Sequence, residues 1–341
     1  MRWCEKIVLA VLLAFVFGTA AQADPVSGTL YYTIFSGAPN VNKINFNYDG
    51  VSTFTLSGNA AVATTFGADG LLFAPDGNLI VAGQNSAQLH EVTPGGAAVN
   101  TVFAGDTSFH LALSSNASNA LLYSIWNANG GPQIAATQLS GGGLSGPGVA
   151  YVTSCPTGCS TDVRGIIFDP NNGNWYYGTA GDGDVTGTFG TVAFDNTLHT
   201  ATLTELSSGV PAHGLTFDPL TGDIIFSSGD MAEQFDPTSG TVVSILTSGG
   251  QTWDQSAVDA KGHLFLASNG GSLTFVDYGA SGLIGAGSNF SSTNFLAGSL
   301  DDIAPLSGFG GTPSVPEPTS IILLGTAFLG LAALRKRARR A

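Results

Sequence analysis

One pattern recurs along the middle of the chain and limits its fold more than any other feature. A short apolar segment leads into a turn that contains Asp, Asn, Pro or Gly, and a second apolar segment follows. Clear copies carry Phe73, Phe168 and Phe217 in the first segment, and weaker copies carry Leu113 and Val258. Apolar runs separated by such turn residues predict β-hairpins. Because no 3.6-residue periodicity appears in this region, we expect an all-β body.

The spacing of these copies predicts a β-propeller. Successive copies lie 40, 55, 49 and 41 residues apart. A repeat of roughly 40–50 residues that contains strands is typical of propeller blades. We predict six blades, and the spacing of 55 leaves seven open. Short helices are expected only at the two ends of the chain.

The two ends of the repeat region complement each other. Residues 300–306 look like a first strand with no hairpin after it, whereas strands expected at 29–35, 43–46 and 51–56 have no first strand of their own. We therefore predict that the C-terminal strand completes the N-terminal blade and closes the ring.

The residue pattern of the repeat is similar to that of a known family. Residues 165–170 and 214–219 both read Gly-apolar-x-Phe-Asp-Pro. This motif resembles the repeat motif of NHL-type and related six-bladed propellers, and the resemblance extends over residues 29–306. The resemblance implies the same ring of blades. A β-sandwich or a β-helix with similar turns is the alternative.

The N-terminus has the three parts of a secretory signal peptide. Two basic residues precede an unbroken apolar run at residues 7–17, and the small residues Ala21 and Ala23 follow. We predict a signal peptide at residues 1–23, cut by signal peptidase between Ala23 and Asp24. The alternative is a retained anchor, although the run is shorter than the about 20 residues that span a bilayer.

The C-terminus combines a short motif, an apolar stretch and a basic tail. The motif is Val315, Pro316, Glu317 and Pro318. An apolar stretch at 321–334 and five basic residues follow it. This order resembles the PEP-CTERM sorting signal of bacterial exosortase substrates, over residues 315–341. A plain membrane anchor is the alternative.

The PEP-CTERM resemblance implies how the protein is exported and processed. Such chains are exported, held briefly in the inner membrane, and cut near the motif by an exosortase-type enzyme. They are then released or attached at the surface of a Gram-negative bacterium. The predicted domains are therefore a signal peptide, a propeller at residues 24–308, a linker at 309–314 and the sorting signal, with its transmembrane segment at 321–334.

The charge of the body excludes one large class of partners. Between Asp24 and Ser314 only Lys43, Arg164 and Lys261 are basic, whereas 22 residues are acidic, so this span has a formal charge of −19. A surface of that charge repels phosphate backbones. We therefore expect no nucleic-acid partner.

Several polar residues come at or just before the innermost strands, where they would surround one mouth of the propeller channel. They are Asp69, His110, Arg164, His213, Asp254 and Asp301. Phe109 is an alternative to His110, and Asp302 to Asp301. Carboxylates and imidazoles together suit calcium or another divalent metal, or a polar ligand. A structural polar network is the alternative, and no cofactor is predicted firmly.

A cysteine pair and a tryptophan are further candidates for a structural or binding role. Cys155 and Cys159 are the cysteine pair of the exported body, and their spacing predicts a small disulfide. Trp253 is a candidate for stacking on a sugar ring if it is exposed.

The favoured function is that of a binding or structural protein at the cell surface or in the extracellular matrix, with extracellular polysaccharide as the expected partner. The rival is a metal-dependent, lactonase-like hydrolase that uses the channel mouth. Lactonase-type propellers hold their metal at this mouth, but their glutamate ligand has no match in this sequence. No catalytic residue is assigned, and the balance favours a protein without enzymatic activity.

Overall fold

A computed structural model describes residues 25–113, 120–125, 134–181 and 183–305. These residues form β-strands joined by turns and contain no helix. Within them, no helix is long and apolar enough to cross a membrane. The chain divides into compact units at Met1–Phe309 and Gly310–Ala341. The predicted signal peptide, linker, transmembrane segment and terminal helices lie outside the described residues and stay predictions.

The strands are short, with bounds set by the turn residues of the repeat. Those up to residue 125 are β1 (Val26–Ile34), β2 (Val41–Tyr48), β3 (Phe54–Ala63), β4 (Leu71–Phe73), β5 (Leu79–Ala82), β6 (Gln88–Val92), β7 (Ala98–Phe103), β8 (Ser108–Leu113) and β9 (Ala120–Ile125). The next are β10 (Ile134–Ser140), β11 (Gly143–Leu144), β12 (Val149–Ser154), β13 (Gly165–Asp169), β14 (Asn174–Gly178), β15 (Gly187–Asp195) and β16 (Thr200–Val210). The last are β17 (Gly214–Phe217), β18 (Ile224–Ser228), β19 (Met231–Asp236), β20 (Thr241–Thr247), β21 (Trp253–Val258), β22 (His263–Ser268), β23 (Ser272–Asp277), β24 (Phe290–Phe295) and β25 (Leu300–Pro305).

The sheets are mostly antiparallel and four-stranded. Four of them have the orders β25-β1-β2-β3, β4-β5-β6-β7, β17-β18-β19-β20 and β21-β22-β23-β24. A larger sheet joins β8-β9-β10-β12 to β13-β14-β15-β16, with β11 paired to β10. Among the described residues, the strands other than β11 thus fall into six groups of four.

The first strands of the groups form a closed ring. Contacts run from β4 to β8, β13, β17, β21 and β25, and then back to β4. A ring of four-stranded antiparallel sheets whose first strands face a common axis is a β-propeller. The predicted fold class is therefore confirmed. Because residues 114–119 and 126–133 lie outside the described part of the chain, the count of six blades rather than seven stays a prediction.

Ring closure uses the two ends of the body. Strand β25 pairs antiparallel with β1, with Ala304 opposite Tyr31 and Ile303 opposite Tyr32. The predicted completion of the N-terminal blade by the C-terminal strand is confirmed. This pairing closes the ring with residues about 270 positions apart in sequence.

One pairing was not predicted from the sequence. The outer strands β12 and β16 pair in parallel, with Val152 opposite Thr200 and Ser154 opposite Thr202. An outer strand otherwise presents unpaired N–H and C=O groups to solvent. The pairing covers part of both edges and joins the third and fourth groups into one sheet.

The glycine of the repeat has a packing role in the ring. A Cβ atom on Gly70, Gly165 or Gly214 would lie 2.5 Å or less from a backbone carbonyl oxygen of the next group's first strand or the residue before it. The oxygens belong to Phe109, His213 and Asp254, respectively. None of these glycines needs a positive φ. Glycine is therefore required here because neighbouring backbones approach closely, not because of a turn.

Candidate functional site

A cavity of about 140 Å³ lies at the end of the ring where the first strands begin. All six predicted mouth residues line it: Asp69, His110, Arg164, His213, Asp254 and Asp301. Five of them are buried, and Arg164 is partly exposed. The cavity has roughly the volume that accommodates one six-membered ring of carbon atoms.

The topology explains why these residues meet. Each comes just before, or near the beginning of, a first strand: Asp69 precedes β4, Arg164 precedes β13 and His213 precedes β17. Because the first strands all run in the same direction around the channel, their beginnings share one mouth. Asp254 and Asp301 occupy the second positions of β21 and β25.

The structure separates one of the two pairs of alternatives left open by the sequence. Asp301 lines the cavity and Asp302 does not, whereas Phe109 and His110 both line it. Side chains alternate along a regular strand, so Asp301 and Asp302 face opposite sides. Strand β8 has a register shift between Ser108 and Leu111, and alternation does not hold there. Asp302 instead accepts a hydrogen bond from the backbone N–H of Leu71, at 2.6 Å, and so links β25 to β4.

Three lining residues were missed by the sequence reasoning. Phe35, Gln84 and Asn269 follow the second strands of their groups, β1, β5 and β22. In an antiparallel pair, the end of one strand lies beside the beginning of its partner. The first two positions after each second strand were therefore a signal that could have found them.

Two histidines form the centre of the hydrogen-bond network. His213 Nδ1 lies 2.8 Å from the carbonyl oxygen of Ala180, which can only accept, so Nδ1 carries a hydrogen. His213 Nε2 lies 3.0 Å from His110 Nε2 and 3.0 Å from Asp254 Oδ1. His110 Nδ1 contacts Gln255 Nε2 and lies 3.7 Å from Asp69 Oδ1.

These contacts permit two protonation states. When His213 is neutral, its Nε2 accepts from the Nε2–H of His110, and the Gln255 amide donates to His110 Nδ1. A protonated His213 would form an ion pair with Asp254, whose Oδ1 lies 3.0 Å from Nε2. The two imidazoles thus place hydrogen-bonding groups at the cavity, which suits the binding of a polar group.

The carboxyl groups around the histidines repel one another. Burial raises the pKa of Asp301 well above its usual range, and the charges of Asp69, Asp254 and Asp302 add to this effect. Asp301 also shares a hydrogen bond with Asp254, which favours its protonated form. Burial raises the pKa of Asp302 to about 8.

These shifts predict that stability falls as the pH rises. Folded Asp302 keeps a proton that the unfolded chain releases near pH ~4, so the loss for this group runs from about pH 4 to about pH 8 at up to ~1.4 kcal/mol per pH unit. Burial lowers the pKa of His90, which acts in the opposite sense only below about pH 6.5. We therefore expect the melting temperature to fall between about pH 6.5 and 8, and Asp302→Asn to flatten this fall. Thermal unfolding across that window checks it, and a wild-type profile that rises would contradict it.

Arg164 is the one basic side chain other than histidine among the described lining residues. Its Nη2 donates to Asp162 Oδ2 at 3.0 Å, and the Asp162 side chain is mostly exposed. This pair lies at the rim of the site, in contact with solvent.

The metal hypothesis has no geometric support in the described residues. No group of three or more His, Cys, Asp or Glu side chains among them is arranged to hold a metal ion. Asp69, His213, Asp254 and Asp301 share the cavity, but they do not form a coordination set. The residues in the described ranges therefore do not fit calcium or another divalent metal at this mouth.

Trp253 does not fit the stacking role expected of it. Its ring is 2% exposed and its Nε1 donates to Thr274 Oγ1 at 3.3 Å. A buried ring offers no face to a sugar. The expectation that Trp253 stacks on a ligand is corrected, because packing between the fifth and sixth groups covers it.

Cys155 and Cys159 are paired, with Cα atoms 5.5 Å apart, a separation that permits a disulfide. The disulfide in the exported protein stays a prediction. We expect thiol alkylation of the denatured exported chain to label neither cysteine before reduction and both after it. Mass spectrometry checks this, and labelling without reduction would contradict it.

Comparisons with known proteins agree with the fold and identify the C-terminus. A profile described as the PEP-CTERM protein-sorting motif matches residues 314–338. No curated protein matches the chain. Among solved structures, a protein of unknown function from Bacteroides caccae is 13% identical, with a TM-score of 0.51, over 82% of this chain and 99% of that one.

Two other solved structures are similar at a lower level. The PQQ-bound aldose sugar dehydrogenase from Streptomyces coelicolor is 17% identical, with a TM-score of 0.48, over 72% of this chain and 87% of that chain. The calcium-binding protein regucalcin from Agrobacterium tumefaciens is 16% identical, with a TM-score of 0.44, over 68% and 75%. At such identities a likeness bears on fold alone. The chain is thus a β-propeller with a PEP-CTERM protein-sorting motif at its C-terminus, and that motif implies export, membrane anchoring before processing and recognition by an exosortase.

Proposed function

We propose that the protein is a binding protein, displayed on or released from the surface of a Gram-negative bacterium, whose central cavity recognises a small polar group of an extracellular polysaccharide. The observation that carries this proposal is the cavity itself. Eight polar or charged side chains line it, with at least one from each of the six strand groups.

The size of the cavity narrows what it can bind. A volume of about 140 Å³ suits one sugar-sized group and is too small for a chain segment. We therefore expect recognition of a chain end or a branch, or of a free small molecule. The rigid ring holds the lining side chains in place, so little conformational freedom is lost on binding.

A metal-dependent hydrolase would require a ligand set for the metal, and the described residues contain none. The hydrogen-bonded histidines and carboxyls support binding of a polar ligand directly.

The test is retention of the full chain, purified in mild detergent, on immobilised polysaccharides that are neutral, acidic or amine-bearing. We expect retention on at least one of them and at least about a tenfold loss for Asp254→Asn, because one good hydrogen bond to a charged group is worth about 1.5–3 kcal/mol. Asp230→Asn is the matched control, since Asp230 is exposed, follows β18 at the same end of the ring and does not line the cavity. Equal retention of Asp254→Asn and wild type would overturn the cavity as the binding site.

A further inference from the structure

We propose that the central cavity binds a small organic cation, through a primary ammonium group of the kind carried by amino sugars and polyamines. This inference rests on the proposed function, because it assumes that the cavity is the ligand site, and it adds the chemical class of the ligand.

The first support is the charge of the lining. Asp69, Asp254 and Asp301 are all buried carboxyls on one cavity of about 140 Å³. The basic side chain beside them, Arg164, forms an ion pair with Asp162 at the exposed rim. A group of buried acids is stabilised when a cation enters between them. The body's charge of −19 also attracts cations from a distance and repels anions.

The second support is a deficit of hydrogen-bond donors. Asp301 is 4% exposed, and apart from the hydrogen bond that its protonated form shares with Asp254, its Oδ2 has no hydrogen-bond partner within the described ranges. The Oδ1 of Asn269 is buried as well and has no partner there. Both residues line the cavity. Buried acceptors are normally satisfied, and an ammonium group brings three donors and no acceptor.

The third support concerns the kind of cation. Phe35 and Phe109 line the same cavity and are only partly buried. Aromatic rings attract an organic ammonium through the cation–π interaction, whereas metal ions prefer several oxygen or nitrogen ligands in a defined geometry. The side chains in the described part of the chain offer no such metal-binding group. An alkylammonium also fills the apolar part of the cavity with its carbon skeleton.

Binding of a cation would change the protonation of the site. Asp69, Asp254, Asp302, His110, His213 and Arg164 are the ionisable groups that surround Asp301. Asp301 has a raised pKa because it is buried beside other carboxyls. An ammonium group beside it stabilises the carboxylate, so Asp301 releases its proton to the buffer as the ligand enters. No covalent bond of the ligand forms or breaks when it binds.

The experiment is isothermal titration calorimetry on the full chain in mild detergent, at about pH 6.5. The probes are glucosamine, N-acetylglucosamine, glucose and putrescine. N-acetylation removes the charge of glucosamine and keeps its ring, whereas putrescine keeps the ammonium and lacks the ring. Two buffers with different ionisation enthalpies report proton release. The variants are Asp301→Asn, which resembles the protonated acid in shape, and Asp230→Asn as the exposed control.

We expect an ammonium probe to bind at least about tenfold more tightly than glucose and N-acetylglucosamine, with proton release that Asp301→Asn removes and Asp230→Asn retains. Preference for glucosamine over putrescine would identify an amino sugar as the source of the ammonium, and the reverse order a polyamine. Equal binding of glucosamine and glucose, or tighter binding of glucose, would overturn the ammonium class while leaving the cavity as a sugar site. If Asp254→Asn removes no polysaccharide retention and no probe binds, both this inference and the proposed function fail.

Discussion

Replacing Gly165 with alanine is expected to lower the free energy of unfolding by about 3 kcal/mol, in the upper part of the range for overpacked buried sites. The added Cβ would collide with the backbone carbonyl oxygen of His213, and a backbone atom cannot move aside by rotating a side chain. For a domain of this size, the melting temperature should fall by roughly 6–10 °C. Because His213 belongs to the cavity, the same change should weaken ligand binding.

Thermal unfolding measured by circular dichroism checks this prediction. Gly287→Ala is the control, since Gly287 has an ordinary φ and no atom within 4 Å of the position that its Cβ would take. The control should melt within about 2 °C of wild type, because surface substitutions usually change stability by less than about 0.5 kcal/mol. A Gly165→Ala protein as stable as the control would show that the close approach of adjacent strands is not needed.

Replacing Phe275 with alanine is expected to be at least as damaging. Phe275 is fully buried, and its ring stacks on Phe54 with centroids 4.3 Å apart. It also meets Tyr48 at 5.0 Å and Phe265 at 5.5 Å. Truncating a buried phenylalanine costs about 3–5 kcal/mol through lost contacts and the cavity left behind.

The position of Phe275 explains why the effect should reach the whole ring. Phe54 and Tyr48 belong to the N-terminal group and Phe275 to the last group, so this aromatic cluster lies where the ring closes. Urea unfolding should give a lower midpoint for Phe275→Ala. Phe295→Ala is the control because Phe295 is 72% exposed on neighbouring β24. Equal midpoints for the two variants would argue against a closure held by this cluster.

Much of the architecture could be predicted from the sequence because it depends on patterns among residues that are close together in the chain. The hairpin turns, the spacing of the copies and the unpaired strands at both ends depend on residues close together in sequence. The six mouth residues could be named in advance because a repeat places equivalent positions at equivalent places in the ring. The same argument, applied to second strands, would have added Gln84 and Asn269.

The wrong expectation for Trp253 and the unpredicted strand pairing both concern contacts between strand groups. Trp253 was judged from its neighbours in sequence, but the adjoining sheets bury its ring. The parallel pairing of β12 with β16 joins two edges whose residues show no sign of it in their sequence.

The sequence by itself determined the all-β repeat, the ring closure by the last strand, the acidic body and the C-terminal sorting motif, because each depends on local pattern or composition. Only the tertiary structure decided that Asp301 rather than Asp302 faces the cavity and that His110 meets His213 across 103 positions. It also decided that burial beside other carboxyls raises the pKa of Asp301. These properties arise from the packing of strands that are distant in sequence, since burial and mutual distance exist only once the ring has closed.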